Sequence, residues 1–113
     1  RDYFFIYAFS LESKTYKKKP VFKIKRDKVH KKFKPSGIAI HPNGNIYVLS
    51  SFSKTVCVLS SSGEIIEVTE LNKSIFNQPE GITFNSNGDL YISNEKKNNS
   101  PTLLKFNSGV TIK

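Results

Sequence analysis

Residues 78–95, QPEGITFNSNGDLYISNE, read as two short strands, Gly81–Phe84 and Leu90–Ser93, joined at Asn87-Gly88. Asn-Gly between alternating apolar runs signals a two-residue hairpin turn, because both residues tolerate the positive φ that such a turn needs. The pattern occurs once before. Residues 35–51 read PSGIAIHPNGNIYVLSS, and Gly37/Gly81, Ile38/Ile82, Asn43-Gly44/Asn87-Gly88, Tyr47/Tyr91 and Val48/Ile92 all lie 44 positions apart. A fixed period of that length, filled with strand signals, predicts stacked β units.

Working outward, the first repeat supplies Gly37–Ile40, Ile46–Leu49, Thr55–Leu59 and Glu64–Thr69, with a turn at Ser61-Ser62-Gly63. A short helical turn is expected over Leu71–Phe76. After the polar insertion Lys96–Ser100, the second repeat continues with Thr102–Phe106, and Val110–Lys113 is left for a fourth strand. Before the repeats, Tyr3–Ser10 reads as one strand buried on both faces. Leu11–Tyr16 reads as a polar connection, and Pro20–Lys25 alternates as a half-exposed strand.

Four-stranded units, apolar on both faces and repeated at this spacing, describe β-propeller blades. At about 40–45 residues per blade, the chain of 113 residues holds about two and a half four-stranded antiparallel blades. The expected division is 1–34, the outer half of a blade plus a basic connection; 35–77, a full blade; and 78–113, a last, incomplete blade. Closure of a ring needs at least four blades. The remaining blades are therefore expected from the same protein, of which this would be the C-terminal part, or from another copy.

Composition bounds the function. No apolar run approaches the ~20 residues of a membrane span. Cys57, the single cysteine, lies in the strand pattern TVCVL and reads as a buried, inert thiol. The net charge is +9, but its excess is local: residues 14–34 hold ten Lys and Arg26 against Asp27 alone. A lysine-rich segment with few arginines lacks bidentate phosphate and base contacts. A solvated outer strand and linker accounts for it, so no specific nucleic-acid partner is expected. A surface for anionic lipid or nucleic acid is the alternative.

The residues FKPSGIAIHPNGNIYVLSS (33–51), QPEGITFNSNGDLYISNE (78–95) and IYAFSLESKTYKKKPVFKI (6–24) resemble the SdiA-regulated family of bacterial propellers, relatives of the NHL-repeat and gluconolactonase-like six-bladed proteins. The resemblance implies a cell-envelope or periplasmic protein, often a lipoprotein, so membrane proximity through an N-terminal anchor outside this sequence is expected. It also implies a metal site at the axial end of the ring. Some distant relatives are metal-dependent lactone hydrolases. Glu80 alone resembles the blade-opening glutamate of those enzymes.

The residues themselves point to the same place. Glu80 and Glu95 are equally distant from the Asn87-Gly88 turn, so a two-residue turn would set them face to face. Like charges so placed repel, and a cation would relieve this. Two carboxylates with the Asn94 amide carbonyl are hard oxygen ligands suited to Ca²⁺ or Mg²⁺. Glu80 and Glu95 are the candidate metal ligands, and Glu80, Asn94 and Glu95 the candidate ligand-binding set. Splayed, solvated acids are the alternative, and the first repeat carries Ser36 and Ser51 at these positions. His41 reads as a turn residue and His30 as solvated. Tyr47 and Tyr91 read as blade-to-blade packing. No Ser/His/Asp constellation, phosphate-cradling loop or Cys/His metal spacing occurs, so no catalytic residue is assigned. A non-enzymatic module binding a small-molecule or protein ligand or a divalent cation at the axial end is expected first, a metal-dependent hydrolase of small esters or lactones second, and a nucleic-acid binder using the lysine segment last.

Overall fold

The computed structural model describes residues 2–95 and 100–108. The fold is all-β, a partial β-propeller whose sheets are all antiparallel. The strands are β1 (Tyr3–Ile6), β2 (Phe9–Ser10), β3 (Thr15–Tyr16), β4 (Phe22–Lys25), β5 (Gly37–Ile40), β6 (Ile46–Ser50), β7 (Thr55–Leu59), β8 (Ile65–Glu70), β9 (Pro79–Phe84), β10 (Leu90–Asn94) and β11 (Thr102–Phe106). The first repeat is a complete four-stranded blade, β5-β6-β7-β8. The second supplies β9-β10-β11, and its expected fourth strand, Val110–Lys113, lies outside the described residues. So does the insertion Lys96–Ser100, except for Ser100.

The two central strands of the middle blade, β6 and β7, are buried from both sides, which is why they read as continuous apolar runs. Ile46, Val48, Cys57 and Leu59 face the β1–β4 hairpin, meeting Phe4, Ile24 and Phe33. Leu49, Val56 and Val58 face the other way, against Leu71 and Phe76 of the following connection and Leu90 and Ile92 of the last blade. Burying each such side chain stabilises the fold by about 1.5–3 kcal/mol. Phe33 and Phe76 are equivalent plugs, fully buried in the connections that lead from one blade to the next. The 71–76 connection forms the expected turn, in which the Asn72 carbonyl accepts from the Ile75 and Phe76 amides.

The two blades come together at their first strands. A Cβ on Gly37 of β5 would stand 3.2 Å from Ile82 Cγ2 and 3.4 Å from the Glu80 carbonyl of β9. The strands β5 and β9 are each the sheet edge from which the blade fans outward, as expected for equivalent innermost strands. In β5, however, Ile38 and Ile40 are exposed rather than covered, because no strand of the first hairpin reaches over them.

Three expectations are corrected. First, the Asn-Gly turns have three-residue loops. His41 and Asn45 bracket one, Asn85 and Asp89 the other, and Gly88 N–H donates to the Asn85 carbonyl at 3.0 Å. Only the glycines have positive φ, +95° at Gly44 and +84° at Gly88. This is a type I turn closed by a left-handed glycine, and it shifts the pairing by one residue relative to a two-residue turn. The 60–64 turn has the same form, with Gly63 at +93°. In each, the first side chain accepts from the loop: His41 Nδ1 from Asn43 N–H, Ser60 Oγ from Ser62 and Glu64 N–H, Asn85 Oδ1 from Asn87 and Asp89 N–H. Second, Tyr3–Ser10 is two strands, and only one face is buried: Phe4 lies in the core while Tyr3 and Phe5 are exposed. The aromatic run reflects one-sided cover, not burial on both sides. Third, Leu11–Tyr16 is no simple connection; its last two residues form β3, paired with β2.

Candidate functional site

The candidate residues sit where β9 begins and β10 ends. Phe76 and Phe33 are both locked in the core, yet Phe76 is five residues before Gly81 whereas Phe33 is four before Gly37. The additional residue must be absorbed, and the β9–β10 ladder does so by a bulge. Gly81 pairs with Ser93, but Asn94 pairs with Pro79, which leaves Glu80 bulged out of the ladder. Such bulges re-aim a side chain. Beyond the bulge, Glu95 N–H donates to the Gln78 carbonyl at 2.9 Å. Glu80 and Glu95 therefore do not form the facing pair expected from a two-residue turn. The three-residue loop and the bulge together move their partners.

The acids are nevertheless brought to one donor. Gln78 Nε2 donates to Glu95 Oε2 at 3.1 Å and lies at the outer limit of bonding, 3.5 Å, from Glu80 Oε2. Both glutamates are exposed, and Gln78 is half-buried. Gln78 was not among the residues singled out from sequence. Its signal was the spacing of two from Glu80, which puts both on one face of an extended segment.

Asn94 is different in kind. It is buried, and its Nδ2 donates to the Ile75 carbonyl and to Thr102 Oγ1, both at 3.1 Å. It thus clips the incoming connection to the outer strand. Its Oδ1 has no partner among the described residues. The equivalent in the first repeat, Ser50, is also fully buried and binds its own surroundings, accepting from Lys34 and Ser53 N–H. Ser36 completes that blade end: its N–H and Oγ both donate to the Leu49 carbonyl, and its Oγ accepts from Ser51 N–H.

The same end of the blades carries the basic connection. A cavity of about 360 Å³ is lined by Asp2, Lys25, Arg26, Asp27 and Lys31. Lys34 Nζ lies 4.5 Å from the centre of the Phe52 ring. At the opposite end, Asp89 is held below the usual carboxylate range, first by the Asn85 amide and then by Ser108 N–H and Lys105. His41 is a turn residue as expected; it packs with Tyr47 and Phe84 across the blade boundary, Tyr47 and Phe84 being 4.7 Å apart. His30 is half-buried, with Nδ1 accepting from Lys32 N–H. Among the described residues, no three His, Cys, Asp or Glu side chains gather at metal-binding spacing. Any metal here would rely on Glu80, Glu95 and amide oxygens.

The sequence matches the family model described as SdiA-regulated over residues 7–99. The chain belongs to the SdiA-regulated family. A comparison with curated proteins found no match. In this SdiA-regulated protein the matched span runs from the end of β1 through β10, so it contains both repeats and the Gln78–Glu95 cluster.

Proposed function

We propose that this SdiA-regulated chain is a non-enzymatic binding module that takes a divalent cation, Ca²⁺ foremost, or a cationic polar group at the Gln78–Glu80–Glu95 cluster. The observation that carries the proposal is one amide nitrogen placed against two exposed carboxylates. A primary amide can turn over to exchange its nitrogen for its oxygen. With a cation present, Gln78 would present Oε1 beside the two carboxylates, giving hard oxygen ligands of the type that Ca²⁺ takes. Without one, the amide hydrogens soften the repulsion between the acids. The module works in the cell envelope or periplasm, beside the remaining blades of its own protein or of another copy.

Calcium titration followed by thermal melts tests this. A cation that binds only the folded state stabilises it by about 2.7 kcal/mol at a hundred times its Kd. The melting temperature of the wild type should rise with calcium, and Glu80→Gln should lose most of that rise while folding normally in its absence. A wild type indifferent to calcium, or a variant that keeps the full rise, rules out the cation. Turnover of a simple lactone that depends on Glu80 would replace the binding role with a hydrolase.

A further inference from the structure

The first hairpin is much longer than its counterpart. In the middle blade, Leu59 and Ile65 are paired across a five-residue connection, 60–64. In the first hairpin, Ile6 and Phe22 are the equivalent last pair, and fifteen residues, 7–21, lie between them. The two levels coincide in space, since a Cβ on Gly63 would overlap the Phe22 ring. Residues 7–21 therefore form an arm that runs past the end of the blades, opposite to the Glu80–Glu95 end. It is closed by Val21 N–H to the Ile6 carbonyl, Lys17 N–H to the Ala8 carbonyl, and the β2–β3 pair.

The arm's surface is of one kind. Leu11 at the tip is 83% exposed, Tyr16 72%, Tyr7 54% and Phe9 45%. Phe9 and Tyr16 pack edge-to-face with ring centres 4.9 Å apart. Around them stand Lys14, Lys17, Lys18 and Lys19, all exposed, against Glu12 alone. A two-stranded arm that buries almost nothing has little reason in water to carry these apolar groups.

We propose that this arm docks the protein on an anionic lipid surface, with Phe9, Leu11 and Tyr16 entering the headgroup layer and the four lysines on lipid phosphates. Aromatic side chains favour that layer, and lysine is attracted to an anionic leaflet. The tip suits lipid better than bases. An aliphatic Leu11 is its most exposed apolar group, the two rings pack on each other rather than standing open for stacking, and the cations are lysines. Tyr16 already adjoins Lys17–Lys19 in sequence, and the hairpin folds Phe9 back onto it, so that both rings stand beside the lysines. This inference is independent of the cation site and places that site on the side facing away from the bilayer.

Vesicle flotation of the full chain tests it, using phosphatidylcholine vesicles with and without phosphatidylglycerol. Binding should require phosphatidylglycerol and weaken as salt is raised. Each lysine should contribute roughly fivefold to partitioning, so changing Lys17, Lys18 and Lys19 together to Gln should reduce it on the order of a hundredfold. Leu11→Ser should also weaken binding. All four positions are exposed, so the melting temperatures should be unchanged, and an altered one would send the test to Lys14→Gln alone. Equal binding to neutral vesicles, no binding to either, or an unaffected triple variant overturns the inference. Retention of a single-stranded oligonucleotide that is lost in the triple variant, without vesicle binding, would assign the arm to nucleic acid instead.

Discussion

At the scale of single residues, the three turn glycines have the same backbone and different surroundings, which makes their roles separable. Gly44 has φ +95° and open space, with Ser61 Cβ 3.8 Å from where a side chain would begin. Gly44→Ala should cost about 1–2 kcal/mol, the penalty of a left-handed conformation. Gly63 has φ +93° and sits against Phe22, so Gly63→Ala should add an overpacking cost of about 1–3 kcal/mol. Urea denaturation of the two variants checks the order. Cys57 is fully buried, and burial pushes its thiol up to about 11 from 9.0. A raised folded-state pKa favours the neutral thiol in the fold. Its contribution to stability is therefore full below the ordinary thiol value and is lost as pH rises through about 9 to 11. The native protein should resist a thiol reagent at mildly alkaline pH and react once unfolded. The burial of Cys57 was legible from TVCVL, whose apolar residues have no polar alternation. The positive φ confined to Gly44 and Gly88 was not, because Asn-Gly is compatible with two turn types that place the strands one residue apart.

At the scale of elements, that single residue decides the site. Pairing across a three-residue loop, followed by the bulge at Glu80, sends the two glutamates to a shared amide instead of to each other. The central strands β6 and β7 were readable because they are covered on both sides, so apolar pattern and element coincide there. The bulge was not readable, because it follows from Phe33 and Phe76 being equivalent plugs, which is a fact of packing. The long arm was missed for a related reason. Its polar residues read as a connection, and β2 and β3 are held by pairing rather than by a buried face. Asn94 marks the boundary between structure and function at this end. With Nδ2 bonded to the Ile75 carbonyl and Thr102 Oγ1, Asn94→Ala should cost about 0.5–1.5 kcal/mol for each hydrogen bond lost. Thermal or urea denaturation in the absence of calcium measures it. Glu80→Gln, at an exposed position, should show no such loss.

At the scale of the whole molecule, two sheets meet at their first strands and spread from there. Sequence showed the 44-residue period and the blade content, and the structure adds that β5 and β9 are neighbours through space without being paired in one sheet. That neighbourhood sets the Glu80 carbonyl beside Gly37 and so puts the candidate site at the end where the blades converge. The alternative arrangement of the same strands is one continuous sheet in which β8 pairs with β9. Nuclear Overhauser contacts distinguish them in a single spectrum of the isotope-labelled chain. The blade arrangement predicts strong contacts between the Gly37 α-protons and the Ile82 γ2-methyl, with no α-proton ladder between Ile65–Glu70 and Pro79–Phe84. A ladder between those two strands, with Gly37 and Ile82 silent toward each other, would contradict it.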